Sequence, residues 1–195
     1  MTSVADQAVF QSVEAALFFA FLMEGQPVLQ KSISQIVFEH LSRMAGRVDA
    51  DDTPRTINFS GLTRLEIRGQ CAMVRAAVEY RLPAPEAAAV HAYYGRAGQQ
   101  CKADGIQAVR DYCLPLLSIK GEDPTLAMAW GVFGEKRQRE FLSQRKIARE
   151  FGLSQSTVCR DMKHIRYTGD VLCNRAVERL RPMFAQQGLA GAGGA

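Results

Sequence analysis

Basic and hydrogen-bonding side chains recur at short intervals between residues 145 and 166 of this 195-residue sequence. Amides, hydroxyls and guanidinium groups can exchange hydrogen bonds with the edges of bases, and lysine and arginine can contact phosphates. The residue types therefore predict a nucleic-acid contact. The candidate DNA-binding side chains are Arg145, Lys146, Arg149, Ser154, Gln155, Ser156, Thr157, Arg160, Lys163, His164 and Arg166.

The elements that must position these side chains are two short helices joined by a tight turn. Ala148 is small enough for the first helix to pack closely on the second, and Gly152, four residues later, tolerates a positive φ. Ser154 is a suitable N-cap for the second helix. Apolar residues occupy the positions that face inward in such a hairpin: Ile147, Phe151, Leu153, Val158 and Met162. The pattern predicts a helix-turn-helix, whose second helix enters the major groove with its N-terminal half.

One carboxylate falls on the predicted contact face. Helical spacing places Asp161 among the outward residues, where it would repel phosphate, pair with a neighbouring cation or accept a hydrogen bond from cytosine. The alternative for the whole hairpin is a packed helical corner with a solvated basic face, because small residues before a glycine turn also occur in proteins that bind no DNA.

The distribution of charge favours the nucleic-acid reading. Residues 135–181 contain twelve Lys and Arg against six Asp and Glu, a balance of +6. The whole chain carries +4, so the remainder carries −2. Positive charge is thus concentrated around the hairpin, as in segments that bind nucleic acid.

Apolar residues at helical spacing predict an all-α protein, with a helical N-terminal region and a C-terminal helix-turn-helix. Helices are predicted at 4–24 and 30–45, with a connector at 98–105 and a weak break at 168–170. The predicted segments are N-terminal helices at 1–45, an acidic loop or linker at 46–58, a central helical region at 59–134, the helix-turn-helix DNA-binding region at 135–185 and a disordered tail at 186–195.

Cysteine and histidine spacing gives no sign of a metal or disulfide framework. The five cysteines form no CxxC pair, so reduced thiols in the cytoplasm are expected. His91, Cys101 and Cys113 could meet at a metal, but their spacings match no zinc template. The apolar run at 15–23 is too short to span a bilayer and is preceded by acidic residues rather than basic ones. We therefore expect a cytoplasmic protein without membrane association, metal or cofactor.

The sequence contains no recognisable catalytic motif. Glycine-rich phosphate loops, GxSxG, HExxH and Walker patterns do not occur, and the three histidines lie far apart. We predict that the protein is not an enzyme. A recombinase or transposase fragment stays open as an alternative, since the spacing of carboxylates alone does not decide it.

The segment RKIAREFGLSQSTVCRDMKHIR resembles the helix-turn-helix of bacterial transcription regulators and of region 4 of sigma factors. More widely, RLEIRGQCAMVRAAVEYRLPAPEAAAVHAYYG, followed by a sigma-like hairpin, looks like the Q-type late antiterminators of lambdoid phages. That resemblance implies binding near a late promoter and engagement of RNA polymerase, which then ignores terminators. Some members of the group carry a cysteine-rich zinc module, and this chain departs from them because it has no CxxC pair.

These features predict a sequence-specific DNA-binding transcription regulator of phage or prophage origin, in its narrower form an antitermination factor acting with RNA polymerase. Its partners would be double-stranded DNA and RNA polymerase. The alternative is a small-terminase-like accessory of DNA packaging or recombination that uses the same helix-turn-helix. A third interpretation is a structural interaction protein without affinity for DNA. The sequence sets neither the DNA target nor the oligomeric state.

Overall fold

The computed structural model describes residues 8–24, 62–96 and 100–191, except for the side chain of Arg64. These residues form α-helices joined by short turns, which confirms the predicted all-α fold. The helices are α1 (Val13–Glu24), α2 (Arg64–Arg81), α3 (Ala84–Tyr94), α4 (Gln100–Cys113), α5 (Glu122–Phe133), α6 (Lys136–Phe141), α7 (Gln144–Glu150) and α8 (Gln155–Gln186), with a 3-10 turn at Leu114–Leu116. None of these helices is long and apolar enough to cross a membrane.

The chain divides into two compact units. The first contains residues 1–74 and 184–195, and the second contains residues 75–183. The predicted segments 59–134 and 135–185 both contribute to the second unit. The predicted helix at 30–45 and the predicted acidic loop at 46–58 lie outside the described residues.

In the first unit, α1 begins at Val13, so the prediction of a helix from residue 4 is wrong for residues 8–12. The start is fixed by Ser12, whose Oγ accepts a hydrogen bond from the backbone N–H of Ala15 at 3.2 Å. A serine side chain at this position satisfies an N–H that has no partner within the helix. Phe10 precedes the helix and lies with its ring 5.8 Å from that of Phe19.

The prediction of a disordered tail is wrong where the structure describes it, up to Gly191. The backbone N–H of Phe10 donates to the carbonyl oxygen of Leu189 at 2.8 Å. The N–H of Gly191 donates to the carbonyl oxygen of Phe10 at 2.9 Å. Leu189 is fully buried, and Gly188 turns the chain with a φ of 64°. One buried leucine with backbone pairing therefore orders a segment whose glycine and alanine content predicts disorder. Residues 192–195 lie outside the described part.

In the second unit, α3 and α4 approach each other closely at Gly105. Helix α4 already begins at Gln100, so the predicted connector at 98–105 is wrong from that residue onward. A Cβ atom on Gly105 would lie 2.7 Å from the Cβ of His91 and 2.8 Å from the carbonyl oxygen of Ala88. The glycine is therefore part of a helix–helix contact and does not mark a loop.

Helix α8 runs without interruption through residues 168–170, where the sequence predicts a weak break. Gly169 is helical and buried. A Cβ there would lie 2.6 Å from the ring of Phe133, so only glycine permits this close contact. The Phe133 ring meets the ring of Tyr93 edge-on, with centroids 5.0 Å apart. The hydroxyl of Tyr93 donates to the carboxylate of Asp170. Burial is the main cause that raises the pKa of Tyr93, and the hydrogen bond to Asp170 raises it further. The hydroxyl therefore stays protonated and can act as the donor.

One hydrophobic core serves the central helices and the hairpin alike. Its fully buried members come from four helices: Ile106 of α4, Met128 of α5, Ile147 of α7, and Val158 and Ile165 of α8. The two helices of the hairpin therefore do not form a separate module. Their positions are set by packing against α4 and α5.

A buried lysine connects α4 to the end of α3. Lys102 is 3 % exposed, and its Nζ donates to the carbonyl oxygen of Ala92 at 2.8 Å. This carbonyl belongs to the last turn of α3, where backbone acceptors lack helical partners. Burial lowers the pKa of Lys102, while the carboxylate of Glu135 opposes the shift.

Replacing Gly105 by alanine should lower the free energy of unfolding by about 1–3 kcal/mol, because the new methyl group forces α3 and α4 apart. The matched control is Gly69→Ala on α2, where an added Cβ meets nothing within 4 Å. There alanine should raise the stability by about 0.5–1 kcal/mol through helix propensity. Urea unfolding measures both changes, and a stabilising Gly105→Ala would contradict the close contact.

The lowered pKa of Lys102 predicts a pH-dependent stability. Between that lowered value and the ordinary value of 10.5, the unfolded chain binds the proton more tightly than the folded protein. Raising the pH through this window should therefore stabilise the folded state. Urea unfolding from pH 8 upward should show the wild type gaining stability relative to Lys102→Met, which lacks this proton. A difference that is constant with pH would contradict the buried charge.

Candidate nucleic-acid interface

Residues 144–166 form a helix-turn-helix, as predicted. Gly152 has a φ of 63°, the left-handed conformation that favours glycine. The backbone N–H of Leu153 donates to the carbonyl oxygen of Ala148 at 2.8 Å and closes the turn. Ser154 stands just before α8, and its carbonyl oxygen accepts the N–H of Val158 at 3.1 Å. The hydroxyl oxygens of Ser154 and Ser156 lie 2.8 Å apart.

The inward residues of the hairpin pack as the sequence predicts. Ala148 is 7 % exposed at the contact between the helices. The fully or nearly buried members are Ile147, Val158 and Met162, and the partly buried ones that pack on the core are Phe151 and Leu153. This packing fixes which side of α8 remains open to solvent.

The exposed side of α8 begins with Ser156, Arg160 and Lys163, which we call the α8 stripe. The three residues recur at intervals of four and three, so they lie on one face of the helix. All three are exposed. Tyr167 continues the same face one turn further on and is 68 % exposed. The stripe thus offers a hydroxyl and two cations over the first turns of a long helix.

Asp161 does not belong to the exposed face, and this prediction is wrong. It is 2 % exposed, and its Oδ2 accepts hydrogen bonds from the backbone N–H groups of Ser118 at 3.0 Å and Ile119 at 2.9 Å. Position 161 lies between Val158 and Ile165 on the buried side of α8, at spacings of three and four residues. Among the residues described, the carboxylate is held by these backbone N–H groups and forms no ion pair with the neighbouring cations.

Thr157 and His164 lie at the edge of the open face. Both are half-buried, whereas the sequence places them fully on the exposed side. The Nε2 atom of His164 is buried and has no hydrogen-bond partner among the residues that the structure describes. They are seven residues apart and so share a side of the helix, next to the α8 stripe rather than within it.

The flanking cations occupy two different environments. Arg145 and Arg149 of α7 and Arg166 of α8 are exposed. Lys146 is also exposed, but its Nζ donates to the carbonyl oxygen of Glu140 at 3.1 Å and lies 5.0 Å from the ring centroid of Phe141. Lys146 therefore holds the end of α6 against α7, and a phosphate would compete with these contacts.

A groove of about 630 Å³ runs beside the hairpin, and we call it the α6–α8 groove. Its lining residues are Gly131, Lys136, Arg139, Glu140, Leu142, Ser143, Gln144, Arg145, Gln155, Met162 and Arg166. Two of its cations, Lys136 and Arg139, lie on α6 and are missing from the predicted site. Both fall within the basic segment 135–181, so the distribution of charge along the sequence could have indicated them. The helix-turn-helix pattern could not, because it does not include α6.

The cysteines are all free thiols. Cys113 and Cys173 are buried, whereas Cys159 is half-buried. Burial raises the pKa of the Cys113 thiol, and a hydrogen bond with Thr168 opposes the shift. Among the residues described, no three His, Cys, Asp or Glu side chains come together as a metal site.

Comparison with known proteins places the chain in no family. No protein-family model matches it, and a search of curated proteins finds no match. The interpretation of the hairpin therefore depends on its own residues and geometry.

Removing the buried carboxylate should destabilise the protein. Asp161→Ala leaves two backbone N–H groups without their acceptor, so we expect the free energy of unfolding to fall by about 2–5 kcal/mol. Asp161→Asn keeps an acceptor oxygen, so its free energy of unfolding should fall by less than that of Asp161→Ala. The control is Glu150→Ala at an exposed carboxylate of α7, which should stay within about 0.5 kcal/mol. Chemical unfolding would contradict the assignment if Asp161→Ala matched this control.

Proposed function

We propose that the protein is a sequence-specific DNA-binding transcription regulator that reads the major groove with the N-terminal half of α8. The observation that carries the proposal is the α8 stripe, which lies at the start of the second helix of a helix-turn-helix. Its three residues are exposed, and the acidic residue among their neighbours, Asp161, is directed into the core. The first turns of α8 therefore present cations to solvent without an exposed carboxylate among them, which would favour contact with DNA.

The side chains on this face suit the edges of bases. Arg160 can donate two hydrogen bonds to O6 and N7 of a guanine, which is the commonest specific contact in the major groove. Gln155, exposed in the first turn, can pair with adenine through N6 and N7. Ser156 can donate to or accept from either a base or a phosphate.

The neighbouring cations suit the phosphate backbone. Arg145 and Arg149 are exposed on α7 and Arg166 on α8. Arg145 and Arg166 line the same groove as Gln155, the first residue of α8. Contacts to phosphates position a protein on the duplex without reading its sequence, and they make the affinity fall as salt rises. The charge balance of +6 over residues 135–181 supports such contacts.

The biological setting of the proposal comes from the sequence resemblance. It would be the control of phage or prophage genes, and in the narrower form antitermination together with RNA polymerase. The proposal assigns no catalytic residue and no cofactor.

Arg160→Ala should weaken binding to a preferred sequence by about 1–3 kcal/mol and relax the choice of base at one position. Selection from a pool of random duplexes would first define that sequence, and fluorescence anisotropy would then measure the affinity. The matched control is Arg175→Ala, an exposed arginine further along α8, which should leave the affinity unchanged.

Two outcomes would contradict the proposal. If the wild type enriched no sequence and retained no duplex at low salt, the hairpin would be a packed helical corner. If Arg160→Ala and Arg175→Ala behaved alike, α8 would not read bases through its exposed stripe.

A further inference from the structure

The α6–α8 groove combines a basic rim with an apolar floor. The rim carries Lys136 and Arg139 from α6, Arg145 from α7 and Arg166 from α8, against the single carboxylate of Glu140. The apolar part consists of Gly131, Leu142 and Met162. Four cations and one anion give the groove a formal charge of +3, so a small anion is the ligand that its electrostatics favour.

Among the residues that the structure describes, no ion pair joins any of the four cations to a carboxylate. Within residues 100–191, the ion pairs join other residues, such as Arg110 with Asp111 and Arg181 with Glu178. Like charges gathered in one concave surface repel one another unless an anion lies between them. The groove is thus arranged to gain stability from a bound anion.

The beginning of α8 adds to this field. Gln155, its first residue, lines the groove, so the positive end of a 32-residue helix lies at the same place as the cations. Backbone N–H groups in the first turn of a helix lack helical partners and can donate to an anion.

The floor of the groove is closely packed. A Cβ on Gly131 would lie 2.7 Å from the carbonyl oxygen of Leu142 and 2.9 Å from the terminal methyl of Met162. Glycine therefore brings α5 close to the chain at Leu142, and the floor is already formed without a ligand. Leu142 is half-buried and gives the groove an apolar contact, against which a sugar or a base can pack.

We propose that the α6–α8 groove binds the phosphate of a nucleotide unit, with its sugar or base against the apolar floor. Lys136 and Arg139 supply contacts that the helix-turn-helix pattern alone does not predict. Two sources share this chemistry. One is a DNA strand that passes from the α8 stripe across Gln155 into the groove, and this source rests on the proposed function. The other is a free nucleotide.

The test compares two neighbouring arginines of α6. Arg139→Gln removes a groove cation, while Arg137→Gln removes an exposed arginine that does not line the groove. Each variant, with the wild type, is titrated against a duplex that contains the selected sequence, over a series of salt concentrations. Each is also titrated with adenosine monophosphate by calorimetry.

If DNA is the source, Arg139→Gln should weaken binding uniformly across sequences and reduce the slope of log affinity against log salt by about 1, with Arg137→Gln unchanged. If a free nucleotide is the source, adenosine monophosphate should bind the wild type saturably, and Arg139→Gln should abolish that binding. Either result supports the groove as a phosphate site.

The groove proposal is overturned if Arg139→Gln and Arg137→Gln are equal in both titrations. That result is distinct from failure of the proposed function, which Arg160→Ala tests separately. If Arg160→Ala lost duplex binding while Arg139→Gln changed neither titration, the proposed function would be supported. The proposal of a phosphate site in the groove would then be wrong. If the wild type bound no duplex, the proposed function would be wrong. The titration with adenosine monophosphate alone would then test the phosphate site in the groove.

Discussion

The buried carboxylate of Asp161 is the constraint on which the direction of the exposed face of α8 depends. An ionised group loses its hydration when it is buried, and hydrogen bonds must compensate for that loss. Here both donors are backbone N–H groups of residues 118 and 119, so the compensation requires α8 to lie against the chain that follows the 3-10 turn. A small rotation of α8 about its axis would break these bonds. The direction of the α8 stripe is therefore fixed by a residue on the opposite side of the helix.

The hairpin could be predicted from the sequence because its requirements are local. Gly152 must adopt a positive φ, Ala148 must be small, and the apolar residues must recur at helical spacing within about two turns. All of these residues lie in one short stretch of the chain, between Ile147 and Met162. The all-α fold follows in the same way, since periodicity within each helix is enough to indicate it.

The errors concern residues whose partners are distant in the chain. Asp161 is charged and looks exposed until its donors, about 40 residues earlier, are known. Gly105 and Gly169 look like breaks because glycine is usual in loops, yet each permits a close contact with another helix. The glycine and alanine content assigns Leu189 to a disordered tail, and its backbone pairing with Phe10 shows otherwise. Local pattern gives no access to such contacts, because they are created by the tertiary packing itself.

The shared core of the hairpin and the central helices has a consequence for how such a protein changes over generations. Ile147, Val158 and Ile165 are buried against residues of α4 and α5, so a hairpin taken from another protein would arrive with the wrong inner surface. Genetic exchange of the hairpin alone would leave cavities and clashes. Point substitutions on the solvent side of α8 leave the core intact. The exposed face of α8 is therefore expected to change one residue at a time in this architecture, and not by the transfer of a whole hairpin.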